Sequence, residues 1–360
     1  MWMISSCLPK ITKTTPETMR ENMRDRTRLI APLVALCLFC LGTVQVRAAI
    51  EIKIGSVAPE RSPWHTALLK MARDWETISG GQVKVRVYPG GIAGSELDMI
   101  RKIRLGVLQG AVLTNMGMMR IEKSVLVFNL PFVFSSDEEF NYVFSRLKPV
   151  FEARVEESGF KVVQWTQSGW VYFFTKGPVF YPDDLKKYKI SITKDDPELE
   201  QVWEKMGYKV VPQDTKDMMI GLESGMISAL YLPAVMAASG QYFALASHML
   251  APKLAPLVGG LILSRRTWEQ IPESFRPAML EAADRQAKVL SEEIINLEAE
   301  ALKAMKDHGL VINQPSEEAM AMWREASSRA INSLLGRVIP ADVYQKTLDL
   351  IREYRTGSEK

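Results

Sequence analysis

Short strand-like segments alternate with amphipathic helical segments along most of the chain, and this alternation limits the folds available to it. Residues 50–57 and 83–88 alternate apolar and polar side chains as strands do, and Pro63 opens a helical pattern between them. A helical segment with Ser95 at its N-cap and a third strand near 110–114 follow. This β-α-β-α-β order predicts an α/β protein with a mostly parallel sheet flanked by helices.

The first 48 residues differ in character from the rest of the chain. Three arginines precede an apolar run over residues 29–46, and the residues around Arg47 place small or compact side chains at the −3 and −1 positions of a cleavage site after Ala48. These features are typical of a cleaved secretory signal peptide, which predicts a periplasmic protein. Since the apolar run is about 18 residues long, an uncleaved membrane anchor is the alternative. The residues before Met23 fit no part of a signal peptide, so we expect Met23 to be the true start.

Charge and cysteine content exclude several classes of protein. The first 48 residues hold all three cysteines and seven basic against three acidic side chains, so the remainder has 38 Lys and Arg against 39 Asp and Glu. A nearly neutral body gives no electrostatic reason to expect nucleic-acid binding. Because the body lacks cysteine and its three histidines are far apart in sequence, we expect no disulfide, metal site or cofactor. The glycine-rich turn at 89–94 lacks the Lys-Ser/Thr pair of a phosphate-binding loop.

A helical pattern over residues 273–308 suggests how the chain is organised. About 36 residues at 1.5 Å each give a helix about 54 Å long, which exceeds the width of most single domains. We therefore expect it to bridge two lobes, although two helices with a break would give the same pattern. Lobe I is predicted at 49–168 plus about 257–272, and lobe II at 169–256, each with its own sheet. A helical segment at 309–360 follows the bridging helix.

Five segments, in the same order, resemble the solute receptors of tripartite ATP-independent periplasmic (TRAP) transporters, the DctP family. The matching segments are IKIG at 52–55, YPGGIAGSELDMIRKIRLGVLQGAV at 88–112, NLPFVFSSDEE at 129–139, DDLKKYKI at 183–190 and MGYKVVPQDTKDMMIGLESGMISA at 206–229. The resemblance implies a two-lobed periplasmic-binding-protein fold that closes on a ligand in the cleft and performs no chemistry on it. It also implies a membrane permease, made of a small and a large subunit, as the partner.

Departures from the family pattern concern the ligand. The resemblance implies basic side chains that clamp a substrate carboxylate, yet the matching positions hold Met118, Val171 and Ser191. The run before Pro233, which is polar in the family, reads Ser-Ala-Leu-Tyr-Leu. The chain thus resembles the subset of receptors that lacks the arginine and is associated with tetratricopeptide-repeat periplasmic proteins. Since a buried carboxylate without a cation is costly, this resemblance implies an apolar cleft and a hydrophobic or amphipathic ligand.

On this basis we predict nine ligand-binding residues: Trp64, Asn115, Met118, Trp170, Val171, Ser191, Leu230, Tyr231 and Leu232. Several have a structural alternative. The two leucines fit opposite faces of a buried strand, Trp170 fits a core aromatic residue, and Met118 fits a loop anchor. A cationic side chain brought into the cleft from elsewhere would contradict an apolar cleft, and the candidates are Arg61, Arg120 and Arg265.

Two other functions remain open at this point. The same fold would serve an exported ligand sensor or scaffold without transport, and a permease gene next to this one would separate that function from transport. An exported enzyme is disfavoured because G-x-S-x-G, H-E-x-x-H and a cysteine nucleophile are absent from the body.

Overall fold

The computed structural model describes residues 49–194 and 197–358. The predicted signal peptide, its cleavage site and Met23 lie outside the described residues. Strands occur at β1 Ile50–Ser56, β2 Val83–Tyr88, β3 Gly110–Thr114, β4 Phe160–Thr175, β5 Lys189–Thr193, β6 Lys209–Gln213, β7 Ala229–Pro233, β8 His248–Leu250, β9 Ala255–Ser264 and β10 Val311–Asn313.

The α-helices fill most of the intervals between strands and the C-terminal part of the chain. They are α1 Pro63–Ile78, α2 Glu96–Arg104, α3 Asn115–Met118, α4 Asp137–Glu157, α5 Pro182–Leu185, α6 Pro197–Lys205, α7 Met218–Glu223, α8 Ala234–Ser239, α9 Arg265–Gln270, α10 Arg276–Asp307, α11 Glu317–Leu334 and α12 Ala341–Ser358. Short 3₁₀ helices lie at Lys123–Asn129, Thr215–Asp217 and Tyr242–Ala244. Within the described ranges, no helix is long and apolar enough to cross a membrane.

The sheet is mixed, and its strand order is β2-β1-β3-β9-β4-β7-β5-β6, with β8 and β10 paired at the side of β4. Neighbours among β1, β2 and β3 are parallel, as are those among β5, β6 and β7. The long strands β4 and β9 are antiparallel to each other and join these two parallel groups. The predicted α/β class is confirmed, but the expectation of a separate sheet for each lobe is wrong, because two shared strands connect the sheets into one hydrogen-bonded path.

Strand β4 is irregular at the predicted lobe boundary. Its pairing register with β9 shifts between Gln167 and Trp170, and Gly169 between them has a φ of 91°. A positive φ of this size is readily adopted by glycine and strained for any residue with a Cβ atom. The boundary residue of the sequence analysis therefore coincides with a bulge in a continuous strand, while the residue limits of the two lobes stay a prediction.

Helix α10 is one uninterrupted helix that contacts elements from both predicted lobes. Near its start, the Met279 carbonyl accepts a hydrogen bond of 2.9 Å from the indole of the buried Trp75 on α1. Further along, Leu290 and Ile294 pack with Val235 of α8. The helix thus rests on α1 at one part of its length and on α8 at another.

The segment after the long helix is helical apart from strand β10 at its start. Helix α11 packs through Trp323, whose indole donates a hydrogen bond of 2.9 Å to the Phe180 carbonyl. Helix α12 packs on α4, where Arg355 pairs with the buried carboxylate of Glu139 at 2.7 Å. These contacts attach α11 to the segment before α5, and α12 to α4.

We predict that Gly169→Ala lowers the free energy of unfolding by about 1–2 kcal/mol, the cost of a left-handed backbone for an L-residue. The new Cβ would meet Ile294 at 3.5 Å, an ordinary contact, so the loss comes from the backbone and not from a clash. Urea denaturation measures this loss. Gly357→Ala is the matched control, because that helical glycine has no positive φ and no neighbour within 4 Å; equal stability of both variants and the wild type would contradict the assignment of strain.

Candidate ligand-binding site

A cavity of about 520 Å³ lies at the carboxyl ends of the parallel strands. Residues directly after β1 and β3 line it on one side, and residues at the ends of β5, β6 and β7 line it on the other. Its volume is within the range of small-molecule sites, and the carboxyl ends of strands are where open α/β sheets bind ligands. We take this cavity as the candidate ligand-binding site.

The bulge in β4 decides which of its side chains line the cavity. Before the register shift Gln164, Thr166 and Ser168 line it, and after the shift Val171 and Phe173 do so. Successive strand residues point to opposite faces, so one inserted residue exchanges the two sets. If side chains were assumed to alternate between the two faces along the whole of β4, every residue after 169 would be assigned to the wrong face.

Six of the nine predicted site residues line the cavity: Trp64, Asn115, Val171, Ser191, Tyr231 and Leu232. They come from α1, α3, β4, β5 and β7, which are distant in sequence. That these six residues bind a ligand stays a prediction.

The other three predicted residues do not reach the cavity, because each is packed into the core. Leu230 pairs with Phe174 across the β7–β4 ladder and both are fully buried, whereas the next pair, Tyr231 and Phe173, faces the cavity. Trp170 is buried, and its indole donates a hydrogen bond of 3.0 Å to Asp137. Met118 is fully buried in the main core cluster, which fits the structural role given as its alternative in the sequence analysis.

Ser191, at the position of the expected arginine, forms a neutral hydrogen-bonded pair with Gln213. The Gln213 side-chain amide donates to the Ser191 hydroxyl at 3.0 Å, and both residues are buried in the cavity wall on the neighbouring parallel strands β5 and β6. The position at which the family resemblance led us to expect an arginine is therefore occupied by two uncharged polar side chains.

Three cavity-lining side chains carry buried polar atoms that have no hydrogen-bond partner among the described residues. These atoms are both amide atoms of Asn115, the amide oxygen of Gln213 and the hydroxyl of Tyr231. Burial raises the pKa of Tyr231, so its hydroxyl is neutral at physiological pH and can donate or accept. An unpaired buried polar atom costs about 1–3 kcal/mol, so a ligand or a side-chain movement that gives these atoms a partner would be favourable.

Charged side chains also line the cavity. Arg120 does so, and Lys194 does so while paired with Asp214 at 2.6 Å. The half-buried Glu96 accepts a hydrogen bond of 2.9 Å from the Thr114 hydroxyl. The expectation of an apolar cleft is therefore wrong, because Arg120, one of the arginines named as contradicting it, lies in the wall.

Two cavity-lining carboxyls have shifted pKa values. Desolvation raises the pKa of Glu96 above its ordinary value of 4.5, and hydrogen bonds from Thr114 and the positive charge of Arg120 only partly oppose this rise. Hydrogen bonds from Ser95 lower the pKa of Asp98.

We predict that the pH dependence of stability changes in Glu96→Gln. Below the ordinary carboxyl pKa, Glu96 is protonated in both folded and unfolded states; as the pH rises through the raised folded pKa, the folded protein must bury a charge and loses stability. The glutamine variant should therefore lose less stability than the wild type between acidic and neutral pH in urea denaturation. The exposed Glu60→Gln is the control, and an identical pH profile for wild type and Glu96→Gln would refute the prediction.

The sequence model of the family described as bacterial extracellular solute-binding protein, family 7 (DctP), matches residues 54–335. The chain belongs to this family. A solute-binding protein from Chromohalobacter salexigens is 26% identical over 277 residues, which are 73% of this chain and 79% of that protein. The 2,3-diketo-L-gulonate-binding periplasmic protein YiaO of Escherichia coli is 21% identical over 83% of this chain and 89% of its own length.

Among solved structures, a TRAP periplasmic solute-binding protein from Shewanella oneidensis with bound succinate superposes with a TM-score of 0.78. It is 18% identical, over 84% of this chain and the whole of that chain. A similar protein from Xanthobacter autotrophicus with bound galacturonate gives a TM-score of 0.76 at 17% identity, over 84% of this chain and 99% of that one. These likenesses show that the family member described here has the two-lobed fold of periplasmic binding proteins.

Sequence reasoning missed several residues of the cavity wall. Gln213 lies at the end of strand β6, which pairs with the strand of Ser191, and this adjacency could have identified it as a residue of the cavity wall. Trp323 and Ser327 of α11 also line the cavity, although more than 90 residues separate them from the rest of the predicted site. No local pattern marks these two residues, because only the packing of α11 brings them to the wall.

Proposed function

We propose that this family member is a periplasmic receptor that binds a largely apolar, amphipathic small molecule and delivers it to a TRAP-type permease. The single observation that supports this ligand class is the neutral Ser191–Gln213 pair at the place of the carboxylate clamp. The unpaired polar atoms of Asn115 and Tyr231, on opposite sides of the same cavity, suit a ligand with hydroxyl, amide or carbonyl groups.

The apolar part of the ligand is proposed from the remaining wall. Side chains such as Val171, Leu232 and Leu257 contribute only hydrocarbon to the cavity. Burying about 200–300 Å² of ligand surface at ~25 cal/mol/Å² would supply about 5–7 kcal/mol before the costs of association. A neutral amphipathic ligand therefore needs no ion pair to reach useful affinity.

A second candidate is a small carboxylate, because relatives of this fold hold succinate or galacturonate and Arg120 lies in the cavity wall. We place it second on electrostatic grounds. The charge of Arg120 already acts on Glu96, so a ligand carboxylate would have to compete with Glu96 for it.

We predict that calorimetry detects binding of neutral amphiphiles such as n-octanol and no binding of succinate or galacturonate. The reason is that a desolvated ligand carboxylate would find a serine and a glutamine where a cation is needed. If succinate does bind, Arg120→Gln should abolish its binding while Arg101→Gln, an exposed arginine outside the cavity, leaves it intact. Succinate binding that is lost in Arg120→Gln alone would establish the second candidate.

Membership of the family and the resemblance to the subset lacking the arginine support a proposal about partners. We propose a permease of one small and one large membrane subunit, with a tetratricopeptide-repeat periplasmic protein as a further partner. Co-purification of the tagged receptor with these proteins from its own host tests both contacts separately. Recovery of neither, with a sensor protein in their place, would favour the exported sensor or scaffold without transport.

We predict that the exported protein begins at Ala49, because Ala48 and Val46 suit the −1 and −3 positions of a signal-peptidase site. N-terminal sequencing of periplasmic material measures this directly. An N-terminus that still includes the apolar run, or a lipid on Cys37 or Cys40, would show that the protein is anchored instead.

A further inference from the structure

Five aromatic side chains form one wall of the cavity, and we call them the aromatic wall: Phe173, Trp203, Tyr208, Tyr231 and Trp323. The ring centroid of Phe173 lies 5.1 Å from that of Tyr231, 6.3 Å from that of Trp203 and 6.0 Å from that of Trp323. The rings of Trp203 and Tyr208 are 5.3 Å apart. The wall is thus a continuous cluster that β4, α6, β7 and α11 build together.

The aromatic wall has a buried layer and a layer that faces the cavity. Phe173, Tyr208 and Trp323 are buried, whereas Trp203 and Tyr231 are only half-buried and keep accessible ring surface. The hydrogen bond of the Trp323 indole holds the buried layer in place from α11. The accessible rings are therefore supported from behind by fixed rings.

We infer that the aromatic wall binds a planar ring of the ligand, so that the ligand is an aromatic compound carrying a hydroxyl or carbonyl group. This inference rests on the proposed function and narrows its ligand class. Aromatic rings gain more from tilted or offset contact with other rings than from the buried area alone, and the wall already contains both tilted and edge-on pairs. The Tyr231 hydroxyl is buried and has no partner among the described residues, and we expect a small rotation of the half-buried ring to bring this hydroxyl to the polar group of the ligand.

The test compares β-naphthol with n-octanol, a ring and a chain that each carry one hydroxyl, by calorimetry on the full exported protein. We expect β-naphthol to bind about tenfold more tightly than n-octanol, and Trp203→Leu to weaken only the β-naphthol affinity, by about tenfold. Trp203→Phe, which keeps a ring, should retain most of the affinity. Phe180→Leu, an exposed aromatic residue outside the cavity, is the matched control, and circular dichroism confirms that each variant is folded.

Each outcome separates this inference from the proposed function. Equal affinity for β-naphthol and n-octanol, or equal weakening of both by Trp203→Leu, would overturn the ring assignment and leave the amphipathic receptor in place. Binding of succinate with no binding of either alcohol would overturn both. Absence of β-naphthol binding alongside n-octanol binding would overturn the ring assignment alone.

Discussion

The antiparallel pairing of Phe160–Thr175 with Ala255–Ser264 is the constraint on which the rest of the structure depends. These two strands connect the parallel group β1–β3 to the parallel group β5–β7, and the cavity lies where the carboxyl ends of both groups meet. The bulge at Gly169 then sets which residues of β4 face the cavity on each side. A change in this one pairing would move both walls of the site.

The ligand preference that we propose for the cavity depends on the neutral residues that stand where an arginine was expected. An arginine and a bound carboxylate stabilise one another as a pair, so a position that lacks the arginine offers a ligand carboxylate no partner there. Ser191 and Gln213 fill the position expected for the arginine with a neutral hydrogen bond, and the charge of Arg120, which also lines the cavity, acts on Glu96. The polar atoms left unpaired are amides and a phenol, which recognise neutral hydrogen-bonding groups.

Local patterns predicted much of the fold but only part of the site. Strand alternation, helix caps and the long helical pattern gave the α/β class and most element positions, because these depend on neighbouring residues. Sequence patterns could not tell which residues line the cavity where long-range contacts decide this. Trp170 and Leu230 lie on strand faces that depend on the pairing register and on a bulge. Helix α11 contributes Trp323 to the cavity from the far end of the chain. The single sheet was missed for the same reason, since the shared length of β4 and β9 is a property of their pairing.

The measurement that tests the account most directly is the identity of the molecule that stays bound when the receptor is purified from its own host. Native mass spectrometry gives the mass of the bound species, and solvent extraction followed by mass spectrometry gives its structure. The account predicts a neutral, largely apolar molecule with at least one hydroxyl, amide or carbonyl group. Recovery of a small dicarboxylate or a sugar acid would contradict it.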